Sequence, residues 1–81
     1  MDKEQILSMV KTILVNEFEI NETDIVPDAN IYEDLDIDSI DVVDLVVRLR
    51  AETGRSIEPS NFKQVKTVDD LLDALDTVIN N

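Results

Sequence analysis

Apolar residues recur at helical spacing in separate stretches of the chain. Ile6, Leu7, Val10, Ile13, Leu14 and Phe18 lie three or four apart, behind an Asp2–Gln5 pair that reads as a capping box. They predict a first helix from about Lys3 to Glu17. A second is expected from about Ser39 to Thr53, stopping at Gly54, a residue suited to a left-handed C-terminal cap. Ile57 and the sequence PSNFKQV, with Pro59 in the first turn, predict a short third helix. Thr67 caps a fourth, whose positive end Asp69 and Asp70 complement and whose buried stripe is Val68, Leu71, Leu72, Leu75, Val78 and Ile79. The expected fold class is all-α: a small four-helix bundle with a long loop between helices 1 and 2 and a short third helix, one domain over residues 1–81.

The loop, roughly residues 19 to 38, holds Asn21, Pro27, Asp28 and Asn30 as breakers. It is long for a compact domain, which points to function. Its apolar residues Ile20, Ile25, Val26, Ile31, Tyr32 and Leu35 are expected to peg it into the core.

The second helix has two apolar sides. At about 100° per residue, Val42, Leu45, Val46 and Leu49 share one face, and Ile40, Val43, Val47 and Ala51 the other, with Asp44 among them. So small a bundle cannot surround one helix completely. One apolar face is therefore expected to stay half-exposed among the acids, as a docking surface does.

Composition narrows the chemistry. With no Cys and no His, disulfides, thiolate metal sites and the commonest general base are all absent. The net charge of −12 argues against nucleic acid as a partner. Between Lys11 and Arg48 stand eleven acids and no base. They are a solvated acidic surface or a negative patch that steers basic partners. Mutual repulsion there predicts a fold stabilised by salt or Mg²⁺. No apolar run could span a membrane and MDKEQIL lacks a signal-peptide core, so a cytoplasmic protein is expected.

The densest acidic stretch, DLDIDSIDVVDL, places five aspartates within residues 34–45. Asp34, Asp36 and Asp38 fill the first three ligand positions of an EF-hand loop. Ser39 stands where that loop needs Gly, and Leu45 where it needs a bidentate Glu. No metal site is expected. As a helix start the stretch reads better: Asp38 is a good N-cap and Asp41 can complete a capping box. Ser39 is then the first helical residue, its hydroxyl free of capping duty. The competing assignment makes Ser39 itself the cap.

These residues resemble the acyl carrier protein family. The segment EDLDIDSIDVVDLV stands where that family has its attachment motif: Glu33, Asp34 and Leu35 match the approach, and Asp38-Ser39-Ile40 the Asp-Ser-Leu signature. The likeness extends to Ala29 and Ile31 in the long loop, Ile57 before the third helix and TVDDLL opening the fourth. It implies a covalent 4′-phosphopantetheine arm on Ser39, with Asp38 as motif and cap. A phosphopantetheinyl transferase would install the arm from coenzyme A, and acyl groups would ride on it as thioesters. The chain would be a monomeric carrier and not an enzyme, docking acyl-loading and acyl-transfer enzymes with basic patches through Ile40, Asp41, Val43, Asp44 and Val47. Arg50 would touch the partner's rim. Asp36 stands where the family often has Gly, Ile40 where it has Leu, and Arg48 and Arg50 where the helix often ends in acids. These departures point to a specialised carrier for fatty-acid, lipid or polyketide-type biosynthesis. An aminoacyl, D-alanyl or peptidyl carrier remains open, as does a cofactor-free helical adaptor.

Overall fold

The computed structural model describes residues 1–80. Helix α1 spans Lys3–Phe18, opened by the reciprocal Asp2–Gln5 box and closed by Glu19 in the left-handed conformation. Helix α2 spans Ser39–Thr53 and ends at Gly54, where φ is +66°. Helix α3 spans Val68–Ile79, with Thr67 and Asp70 forming its capping box. α1 packs against both α3 and α2.

The expected third helix is a correction. Residues Pro59–Phe62 form one four-residue 3₁₀ turn, touching α2 and α3. Pro59 starts it well, but too few residues remain to propagate a helix. Thr67, five residues beyond Phe62, is already extended and bridged to Asn30. The fold is all-α, with three helices and, among the described residues, two 3₁₀ turns; the other, Glu22–Asp24, lies within the long loop and is capped by Asn21.

The core is wholly apolar among the described residues. Ile6, Val10 and Leu14 of α1 meet Leu45, Val46 and Leu49 of α2 and Val68, Leu71 and Leu75 of α3, with Ile57 and Phe62 from the connection. The loop contributes Ile25, Ile31 and Leu35 as expected, and also Ala29 and Ile37; Ile20 is half-buried. Val26 and Tyr32 are not pegs: both are exposed. Each sits at a turn. The Val26 carbonyl closes a turn by accepting from Ala29 N–H at 3.0 Å. The Asn30 side chain takes the N–H groups of Tyr32 and Glu33, both at 2.9 Å.

The same loop places the start of α2. Ile31 N–H donates to Lys66 O at 2.8 Å, and Val68 N–H to Ala29 O at 3.0 Å. Ile37 N–H donates to Ile31 O at 3.0 Å and its side chain is buried, so the chain is anchored two residues before Ser39. Between these anchors Asp36 takes a positive φ of 56°. That conformation favours glycine and tolerates Asp better than most residues.

Candidate functional site

Asp38 caps α2. Its Oδ1 accepts Asp41 N–H at 2.9 Å, and Asp41 Oδ2 accepts Asp38 N–H at 3.2 Å. The alternative assignment, Ser39 as cap, is excluded. Ser39 is the first helical residue, it is exposed, and its hydroxyl has no hydrogen-bond partner among the described residues. The first turn of a helix leaves backbone N–H groups unpaired; Asp38 takes that of Asp41, leaving those of Ser39 and Ile40 at the positive end of the dipole.

The aspartates have separate duties. Asp34 Oδ2 accepts Asn30 N–H at 2.7 Å, and Asp38 and Asp41 serve each other's backbone. Among the described residues no three carboxylates converge as a metal cage.

Beside Ser39 lies an open, shallow depression lined by Ile40, Asp41, Val43 and Asp44. Ile40 is 77% exposed, Val43 50% and Val47 54%. The opposite residues Val42, Leu45, Val46 and Leu49 are buried. Both faces of α2 are thus where helical periodicity put them. At roughly 25 cal/mol per Å² of apolar surface removed from water, an uncovered strip of this kind is a reserve of binding energy that folding has not used.

Arg50 is not the free rim cation expected. Its Nε donates to Ile57 O at 2.5 Å and its guanidinium pairs with Glu58 at 3.1 Å. It fastens the end of α2 to the chain beyond Gly54. Arg48 pairs with Glu17 at 3.2 Å, tying α2 to the end of α1. Two positioning residues escaped the sequence reading. Asn30 organises the turn before the site, and a polar residue two and three positions ahead of the N–H groups it binds is a legible Asx-turn signal. Ile37 carries no such signal, because its burial depends on contacts remote in sequence.

Fold and site define a small acidic helical domain that displays one free serine hydroxyl beside an uncovered apolar strip. The family model described as "Phosphopantetheine attachment site" matches residues 8–75, and the chain belongs to that family. It is 39% identical over 79 residues to "Acyl carrier protein 2" of Ralstonia nicotianae, covering 98% of each chain. It is 34% identical over 79 residues to "Acyl carrier protein" of Thermosynechococcus vestitus, again 98% of each. A third relative, "Acyl carrier protein" of Petrotoga mobilis, is 32% identical over 80 residues, covering 99% of this chain and 94% of that protein.

The family's prosthetic group is a covalent 4′-phosphopantetheine. The structure fits it: an exposed hydroxyl lies at a helix N-terminus whose dipole and free N–H groups favour a phosphodiester anion. Asp36, Asp38 and Asp41 oppose that anion, which a covalent bond tolerates and reversible binding would not. No helix among the described residues is long and apolar enough to cross a membrane.

Proposed function

We propose that Ser39 bears the 4′-phosphopantetheine arm and that the chain carries acyl groups on it between separate enzymes. The observation that carries this is the division of labour at the start of α2, where Asp38 caps and Ser39 is left free. When attached, the arm supplies a terminal thiol that holds an acyl group as a thioester. The chain's own part is to present the hydroxyl to a phosphopantetheinyl transferase and to offer a face to acyl-loading and acyl-transfer enzymes. That face is Ile40, Asp41, Val43, Asp44 and Val47: exposed apolar side chains with carboxylates among them, suited to a basic groove with an apolar floor. The acyl cargo follows the names of the relatives. With no His or Cys in the chain, this is a substrate carrier working as a monomer in the cytoplasm, not a catalyst.

The test is intact mass after incubation with coenzyme A and a promiscuous transferase. One added 4′-phosphopantetheine is expected on the wild type and none on Ser39→Ala. Labelling of the variant would move the site elsewhere. An unlabelled wild type would favour a cofactor-free adaptor. Offering acyl, aminoacyl and D-alanyl loading enzymes with ATP then tells the cargo classes apart.

A further inference from the structure

One peptide group at the head of α3 is held from both ends. The Thr67 N–H donates to Asp70 Oδ2 at 3.2 Å, and the Lys66 carbonyl of that same group accepts Ile31 N–H at 2.8 Å. A trans peptide is planar and points its N–H and C=O opposite ways, so a carboxylate that fixes one end aims the other. Asp70 Oδ2 also takes the Lys66 N–H, at 3.1 Å, and so fixes the preceding peptide group.

The pattern repeats one step nearer the site. The Tyr32 N–H donates to Asn30 Oδ1 at 2.9 Å, and the Ile31 carbonyl of that group accepts Ile37 N–H at 3.0 Å. Two clamped peptide groups in series therefore run from the Asp70 carboxylate to Ile37, whose buried side chain precedes Ser39 by two residues. Two further bonds hold the loop alongside this path, Val68 N–H to Ala29 O at 3.0 Å and Asp69 N–H to Pro27 O at 2.9 Å.

From its other side, α2 first meets the core at Val42. Ser39 and Ile40 are exposed and Asp41 half-buried. The first turn is thus held from behind, through Ile37, as well as from within the helix. Hydrogen bonds in series polarise one another, and a bond to a charged acceptor is stronger than one to a neutral group. Asp70 supplies the charged acceptor at the far end of the path.

We infer that Asp70 is a positioning residue for Ser39, acting through the Lys66–Thr67 and Ile31–Tyr32 peptide groups. This rests on the reading of Ser39 as the attachment serine. Among the described residues no hydrogen bond or ion pair joins Asp70 directly to α2, so its influence reaches the site through the backbone it orients. The box that opens α3 thereby also sets the segment that presents the hydroxyl. The α1 box has the same reciprocal form and leads elsewhere. Asp2 N–H donates to Gln5 Oε1 at 2.9 Å, and the Met1 carbonyl of that peptide group accepts from Asn80 Nδ2 at 2.6 Å, just past the end of α3.

The test compares Asp70→Ala with Gln5→Ala, which removes the corresponding side chain from the α1 box. Amide hydrogen exchange of the unmodified proteins is read at Ile31 and Ile37 relative to Leu49, buried within α2. Global unfolding moves all three amides together, whereas a loosened anchor moves the ratios. Asp70→Ala is expected to raise both ratios about fivefold, the order of one charge-assisted bond weakened by exposure to water. It should lower kcat/KM for coenzyme A-dependent labelling of Ser39 by about the same factor. Gln5→Ala should leave the ratios and the labelling unmoved. Asp70→Glu, whose carboxylate still reaches the Thr67 N–H as in the usual form of the box, should restore both. Unmoved ratios in Asp70→Ala, equal changes in the two alanine variants, no rescue by glutamate, or faster exchange with unaltered labelling would each overturn the proposal. Exchange needs no arm, so a wild type that takes none, which sinks the attachment reading, is told apart from a broken coupling.

Discussion

Helices α2 and α3 begin alike and end in different roles. Each opens with a reciprocal capping box, Asp38 with Asp41 and Thr67 with Asp70. Each buries one apolar stripe. The outward face of α3 is Asp69, Asp70, Asp73 and Asp76, whereas that of α2 is Ile40, Val43 and Val47. Acids on α3 serve the fold: Asp69 and Asp73 hold Lys3 of α1 at 3.2 and 2.8 Å. The apolar residues on the outside of α2 serve no internal contact of this kind. A helix that spends one face on the core and leaves a second apolar face in water suits the docking role proposed for it, and its first residue is the free serine.

The sharpest way to break this comparison is truncation on matched positions. Leu71→Ala on α3, where the side chain is buried, should cost about 2–5 kcal/mol, enough to unfold much of a domain this small. Val43→Ala on the outer face of α2 should stay within about 0.5 kcal/mol. Denaturant titration of both variants decides. A Val43→Ala loss near that of Leu71→Ala would mean the outer strip is structural.

The two caps give the next largest effect. Asp38→Ala and Thr67→Ala should each lose about 1 kcal/mol, lowering Tm by roughly 4–8 °C. Ser39→Ala should melt within a degree or two of the wild type, about the noise against such shifts. Thermal melts of the three, side by side, check the assignment of the cap.

Arg50→Glu is expected to be harmful rather than neutral. It removes the bond to Ile57 O and sets a carboxylate against Glu58, for a loss of about 1 kcal/mol discounted by solvent. Unchanged stability would return Arg50 to the role of a free surface charge and reopen it as a docking residue.

The smallest effect concerns acid. Backbone N–H groups of Lys66 and Thr67 hold the Asp70 carboxyl below its ordinary pKa. A depressed folded-state value stabilises the fold at pH above the unfolded value of about 3.9. That contribution is lost as pH falls through the folded value. Asp70→Asn should therefore flatten the acid limb of the stability curve below about pH 4. An acid limb unchanged in Asp70→Asn would show that these two hydrogen bonds leave no trace in the pH dependence of stability.

Much of the molecule is legible in the chain because its information is local. Capping boxes link residues three apart, and stripes recur every three or four. The two-faced pattern of α2, its start at Ser39 and the release of that hydroxyl by Asp38 all follow from such short intervals. Only tertiary structure decided the rest. Pro59–Phe62 stays a 3₁₀ turn because the chain is soon extended and bridged to Asn30, more than thirty residues earlier. Val26 and Tyr32 look as apolar as Ile31 and Ile37, yet only the latter two meet the core. Arg50 is a surface cation by sequence and a tether by structure, because its acceptor lies past the turn at Gly54. Periodicity reports which side of a helix a residue is on. Which side finds a neighbour depends on how distant segments fold against it.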